Sequence, residues 1–312
     1  MPESIIDIQH LTKQYGSFKA VSNLNLTINK GELLGFLGQN GAGKTTTLLM
    51  LMGLSLPTSG TAVVAGYDII KDSRKVRTVA GLLPEGAGYY EDLTAKQNLR
   101  YICQLNDVPS LERENRIKEL IDAVGLTQWA DTKVEKFSRG MKQRLGIAEV
   151  LVKQPKVAFF DEPTIGLDPK GTKEVRDMLI KLNKEHGITI MLSSHLLHDV
   201  QQTCQRVLII RRGKLIADDT IENLSSKLGA VNNSILEFEL TETPAELVKE
   251  IENISGVTSV TQENSRLYVH MEKNQAREIS ETITKHKSTI LLMKPKEHSL
   301  EEIFLRYYEE GD

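Results

Sequence analysis

Only two cysteines, Cys103 and Cys204, occur in 312 residues, which excludes a disulfide framework and a metal site built on several thiolates. Long apolar runs are missing too. The richest, residues 48–56, is broken by Gly53 and Ser55 and falls far short of the roughly 18 residues a membrane span needs. Residues 1–10 carry acids and no apolar core, so they do not read as a signal peptide. Net charge is −3, which gives no bulk positive field to recruit nucleic acid or anionic lipid. There is no long repeat, low-complexity tract or heptad run. What is present is ordinary globular composition, 40% hydrophobic and 26% charged, expected of a soluble intracellular chain.

Charge and pattern divide the chain. Residues 231–312 hold 9 basic against 16 acidic side chains, a balance of −7, and the remainder holds 30 against 26, a balance of +4. The change falls at the polar run 229–233, so the expected domains are 1–230 and 231–312. In the first, strand patterns at 33–37, 157–160, 189–193 and 207–211 alternate with helical patterns at 44–52, 171–185 and 198–204. That order predicts an α/β domain with a mostly parallel sheet. Helical patterns at 111–124 and 141–151, with no strong strand between them, predict a helical insertion over about 86–153. After the boundary, strands at 234–240, 257–262, 266–271 and 289–294 and helices at 244–254, 275–286 and 300–308 follow the βαββαβ order of an α+β ferredoxin-like unit. Ile235, Phe238 and Leu240 with Leu267 and Val269 are its expected buried face, and Leu300, Ile303, Phe304 and Tyr307 form an apolar stripe on the last helix.

The chemistry starts at Gly38-Gln39-Asn40-Gly41-Ala42-Gly43-Lys44-Thr45, which fits G-x-x-x-x-G-K-[ST] between a predicted strand and a predicted helix. Glycines let backbone N–H groups close round a phosphate, and the helix N-terminus favours negative charge. Lys44 can reach the outer phosphates and the Thr45 hydroxyl can bind Mg²⁺. A phosphate loop alone leaves kinases, GTPases and ATPases open. The buried strand 157–160 then delivers Asp161 and Glu162 at its C-terminal end, where an open α/β sheet places its ligand. Asp161 is the expected Mg²⁺ ligand, and Glu162 the group that polarises the attacking water.

Phe137-Ser138-Arg139-Gly140-Met141 resembles the L-S-G-G-Q signature of the ABC (ATP-binding cassette) ATPases, with Phe137, Arg139 and Met141 departing from it. Ser138 is also a helix N-cap, and a capped N-terminus is what an anion needs. The resemblance covers about residues 4–225. It implies a P-loop NTPase fold in which Gly38, Asn40, Gly41, Gly43, Lys44, Thr45 and Thr46 hold ATP, and Tyr15 stacks on the adenine. Ser138, Gly140 and Asp168 are implied to meet nucleotide as well, and His195 to act as the switch histidine. Glu85, in Leu-Pro-Glu-Gly, stands where the family usually has Gln. A carboxylate there could ligand Mg²⁺ directly or through water, but it adds charge beside the γ-phosphate.

That Leu-Pro-Glu run, the relaxed signature and the extra C-terminal domain look like the branch that serves ABC-2-type exporters. The resemblance implies an ATPase subunit, cytoplasmic and peripheral on the inner membrane face, that powers a separate integral-membrane permease. Two copies, or this chain and a paralogue, would sandwich two ATP molecules, with no nucleic acid involved. The alternative is a soluble ABC ATPase acting on ribosomes or DNA. Such families usually carry paired cassettes, coiled coils or zinc modules, and this chain has one cassette and two cysteines. A non-catalytic regulator is disfavoured, since Lys44, Asp161, Glu162 and His195 are all present.

Overall fold

Alternating burial makes the first two strands, β1 (Ser4–Tyr15) and β2 (Phe18–Asn29), a long antiparallel pair. The computed structural model describes residues 3–224, 234–271, 275–295 and 304. It divides into two units, Met1–Asp219 and Thr220–Asp312. The division falls before the polar run at 229–233, which itself lies outside the described residues. The first unit continues with β3 (Leu33–Leu37), α1 (Lys44–Leu51), β4 (Ser59–Val64), β5 (Tyr67–Asp68), α2 (Ser73–Val79) and β6 (Ala80–Leu83). The helices α3 (Ala95–Leu105), α4 (Ser110–Ala123) and α5 (Arg139–Leu151) follow. Then come β7 (Val157–Asp161), α6 (Pro169–His186), β8 (Thr189–Ser194), α7 (Leu197–Thr203), β9 (Arg206–Arg211) and β10 (Lys214–Thr220).

A six-stranded sheet of order β10-β9-β3-β8-β7-β6 carries the unit, and its pairs β3·β8, β3·β9, β6·β7 and β7·β8 are parallel. Every residue of β7 is buried. A central strand between two parallel neighbours has both faces covered, which is why Val157-Ala158-Phe159-Phe160 reads as a continuous apolar run. Phe159 and Phe160 are fully buried, worth about 2–3 kcal/mol each. A second, antiparallel sheet of order β2-β1-β4-β5 packs its apolar face into the same core as Leu34, Phe36 and Phe159. Register shifts along β1 leave its strands without a clean alternation in the sequence.

The expected helical insertion is α3, α4 and α5. Helix α3 shows no clear apolar period in the sequence, because Asn98 interrupts its buried stripe of Ala95, Leu99 and Cys103. That asparagine is itself buried, accepting from the Tyr90 N–H at 3.0 Å and donating to the Tyr90 and Thr94 carbonyls. Thr94 opens α3 with a reciprocal capping box to Gln97, worth about 1 kcal/mol.

On α5, Glu149 is pushed up to about 7 from 4.5 by burial. Burial, then the charge of Glu149, raises the Tyr89 phenol, whose hydroxyl lies against Gly146. An acid with a raised folded-state value contributes stability that is complete below 4.5 and lost as pH climbs through 7. Thermal melts should therefore lose stability over that window. Glu149→Gln should flatten the profile and gain about 3 kcal/mol at alkaline pH, by the conversion of pKa shift to free energy. Parallel profiles for parent and variant would refute this.

The second unit is an antiparallel sheet, β12-β13-β11-β14, with two helices: β11 (Ser234–Leu240), α8 (Ala245–Glu252), β12 (Val257–Glu263), β13 (Arg266–Met271), α9 (Ala276–Lys285) and β14 (Ile290–Pro295). This is the expected ferredoxin-like order. Its core gathers Leu236, Phe238, Leu240, Leu267 and Val269 against Leu247, Ile251, Ile279 and Ile283. Ile235 is a correction: strand alternation puts it on the face opposite Phe238, and Leu236 takes its place in the core. Glu237, on that opposite face, is buried between Arg266 at 3.1 Å and Lys294 at 3.5 Å. The predicted helix at 300–308 and its stripe lie outside the described residues, apart from Phe304, which is buried.

Candidate functional site

The C-terminal ends of β3, β7 and β8 bring the predicted residues together. The loop Gly38–Gly43 turns from β3 into α1, and Gly43 adopts φ 109°. A Cβ there would fall 2.3 Å from the Ala20 carbonyl oxygen, so the turn admits only glycine. Lys44 is the first residue of α1. Although 94% buried, its ammonium is held by the carbonyls of Gly38 at 2.7 Å and Gln39 at 3.4 Å and by Glu162 Oε1 at 3.1 Å. Thr45 donates its hydroxyl to Asp161 Oδ2 at 2.6 Å, while Thr46 is half-buried on the next position of the turn. Asn40 and Gly41 lie exposed in the loop.

Asp161 ends β7. Its other oxygen, Oδ1, accepts a short hydrogen bond from the Ser193 hydroxyl. Glu162 follows with φ 50°, a left-handed conformation that costs a non-glycine residue about 1–2 kcal/mol. Its N–H donates to the Ser193 carbonyl at 3.1 Å and to the Ser193 hydroxyl at 3.2 Å, which holds the strained residue in place. The bend swings the carboxylate back over the loop, where Oε2 meets His195 Nδ1 at 2.8 Å and the His195 N–H at 3.3 Å. Oε1 is buried beside Lys44 without a hydrogen bond of good geometry, so it keeps acceptor capacity. Strain of this kind concentrates where function requires a particular aim.

Lys44, Thr45, Asp161, Glu162 and His195 thus form one cluster. Ser193 is a member that sequence reasoning missed, its only signal being a hydroxyl at the end of a strand beside His195. His198 is turned to Gln202 at 2.8 Å. Among the described residues no group of three or more His, Cys, Asp or Glu forms a metal cluster. Two hard oxygen donors, Thr45 and Asp161, instead suit a cation that takes most of its shell from phosphate and water, as Mg²⁺ does.

The remaining predicted residues stand apart from the cluster. Ser138 caps α5, accepting from the Met141 N–H at 3.2 Å, and Asp168 caps α6, accepting from the Gly171 N–H at 3.0 Å. Among the described residues, no hydrogen bond or ion pair joins Ser138, Gly140 or Asp168 to the cluster. Glu85 is exposed in the loop after β6 and likewise has no bond to Thr45 or Asp161. Tyr15, at the end of β1, is half exposed, with the Lys13 ammonium 4.9 Å from its ring centre.

A family model described as "ABC transporter" matches residues 21–165. The bacitracin transport ATP-binding protein BcrA of Bacillus licheniformis is 36% identical over 303 residues, 97% of each chain. The linearmycin resistance ATP-binding protein LnrL of Bacillus subtilis (strain 168) is 33% identical, covering 96% of this chain and 97% of its own. Among solved structures, the dimeric post-hydrolysis state of the ATP-binding cassette MJ0796 bound to ADP and Pi superposes with a TM-score of 0.63. It is 25% identical and covers 69% of this chain and 98% of that one.

Proposed function

The chain belongs to the ABC transporter family as an ATP-hydrolysing, nucleotide-binding subunit, and from that premise we propose that it is of the ABC-2 exporter type and how its residues share the work. The loop Gly38–Gly43 and Lys44 cradle the ATP phosphates, with Asn40, Thr45 and Thr46 in the same cradle and Tyr15 against the adenine. Thr45 and Asp161 hold Mg²⁺, which neutralises the phosphate oxygens when bound. Glu162 aims Oε1 at the attacking water and accepts its proton, and His195 fixes the carboxylate through Oε2. Glu85, exposed in the loop that leads into the helical insertion, would offer that metal a further carboxylate oxygen, directly or through water. The observation that carries this reading is the convergence of Lys44, Thr45 and His195 on the adjacent acids Asp161 and Glu162.

The second half of each site is supplied by a second copy of the chain, or a paralogue. Ser138 and Gly140 present the open N-terminus of α5, and Asp168 lies on the loop next to it. Within one chain they make no bond to the cluster, which supports their serving the nucleotide held by the other copy. Among the described residues no helix is long and apolar enough to cross a membrane, so the transport path is assigned to a separate permease. The chain would then sit on the inner membrane face through that partner. BcrA and LnrL are named for bacitracin and linearmycin, which points to an antibiotic as the partner's cargo. The ribosome- or DNA-directed alternative is not favoured by these relatives.

Affinity purification of the tagged chain from mild-detergent extracts tests the assignment. An apolar membrane chain should co-elute in fixed proportion, and the pair should hydrolyse ATP faster than the isolated subunit. Elution with ribosomal protein or DNA instead would overturn the transport reading.

A further inference from the structure

Arg139 occupies the first turn of α5, between Ser138 and Gly140. A cation is unfavourable at a helix N-terminus, where the macrodipole is positive. Among the described residues no carboxylate lies within ion-pair distance of it, so charge pairing does not explain its presence there. What it touches is the loop after β7. The guanidinium packs flat on Gly166: a Cβ built on that glycine would lie 2.1 Å from Arg139 Nη1, 2.5 Å from Cζ and 3.0 Å from Nη2. Gly166 also has φ 66°, so glycine is required twice, once for its backbone and once for its neighbour. Leu167 lies near the same turn, its Cδ2 4.0 Å from where a Gly140 Cβ would stand.

The loop under the guanidinium is tied by its own hydrogen bonds and leads to the strained acid. The Glu162 carbonyl accepts from the Ile165 N–H and the Thr164 carbonyl from the Leu167 N–H, both at 3.2 Å, and Asp168 then caps α6. A short chain of fixed contacts therefore runs from Glu162 through Gly166 to Arg139 and the Ser138–Gly140 turn. We propose that Arg139 is a positioning residue, a clasp that makes the Ser138–Gly140 turn and the Glu162–Asp168 loop of one subunit move as one body. The inference rests on the two-copy reading above. In that arrangement Glu162 serves the subunit's own nucleotide and Ser138 serves the partner's, so the clasp couples the two ATP sites. Engagement of one nucleotide by the turn then sets the aim of Glu162 at the other.

The test compares the full-length parent with Arg139→Ala and Arg139→Lys for ATP-concentration dependence, protein-concentration dependence and thermal stability. A residue with only a structural part in α5 would leave the first two unchanged, and its removal would relieve the dipole and leave the melting point equal or higher. The clasp predicts that Arg139→Ala keeps the melting point and the affinity for a fluorescent ATP analogue. It should lower kcat about tenfold and bring a Hill coefficient above 1 down to 1. Arg139→Lys, which keeps the charge but loses the flat guanidinium, should not restore coupling. A cooperative parent with an equally cooperative Arg139→Ala overturns the clasp alone. A parent that is non-cooperative and strictly first order in protein overturns the two-copy reading, and the clasp with it.

Discussion

Glu162→Gln is expected to bind ATP as the parent does and to lose multiple-turnover hydrolysis by roughly 10²–10⁴-fold, the usual contribution of a positioned general base. The substitution keeps the size of the side chain and an acceptor for the His195 N–H, which Oε2 now receives at 3.3 Å. It removes the charge beside Lys44 and the group able to take a proton from water. The phosphate cradle is built from backbone and Lys44, so it survives. The variant should accumulate on size exclusion as an ATP-loaded dimer that dissociates only slowly. Turnover at the parent rate would show that another group activates the water, and would remove Glu162 from the mechanism.

The parts of this site that could be read from sequence are those whose chemistry demands a fixed spacing. Gly43 and Lys44 are legible because a phosphate-binding turn tolerates only glycine before the helix, and the 2.3 Å approach to Ala20 gives the reason. Asp161 and Glu162 are legible because the run 157–160 has to be a strand buried on both faces, and its end has to be a ligand position. Ser193 was not legible. Its bonds to Asp161 and Glu162 bring together residues more than thirty positions apart, and no local pattern encodes them. The left-handed turn at Glu162 was hidden for the same reason, since Glu carries no preference for positive φ and its conformation is imposed by Ser193 and His195.

At the level of fold, parallel strands announced themselves as apolar runs, whereas the antiparallel sheet of β1, β2, β4 and β5 did not. Its strands carry bulges that break the period of two: register shifts occur between Ile8 and Leu11 and again between Leu11 and Lys13. Ile235 is a different case. Its odd position sets it on the face opposite Phe238 and Leu240, so Phe238 pairs with Leu267 in the core while Ile235 pairs with His270 on the other face. Arg139 could be seen in the sequence only as a departure from a motif. Its packing on Gly166 turns that departure into a contact with its own requirements.

Mixing two inactive proteins should restore activity if the site is shared. Lys44→Ala removes the cation proposed to face the β- and γ-phosphates and should abolish ATP binding in its own cradle, where the Gly38 and Gln39 carbonyls and Glu162 hold that ammonium. Ser138→Arg replaces the cap of α5 with a bulky cation and closes the helix end proposed to meet the other nucleotide. Each homodimer then carries two broken sites. In a heterodimer, one site combines the intact Lys44 of one copy with the intact Ser138 of the other, and the second site carries both lesions. Random pairing of an equal mixture gives half heterodimers, so two-fold symmetry sets a ceiling of about a quarter of the parent rate. The clasp at Arg139 predicts less than that ceiling, because the sound site is coupled to a dead one. Activity should also rise more steeply than linearly with protein concentration when the subunit is studied alone. A mixture that stays inactive, together with parent hydrolysis strictly proportional to protein, would place the whole reaction within one chain and leave Ser138 as a helix cap without a nucleotide to meet.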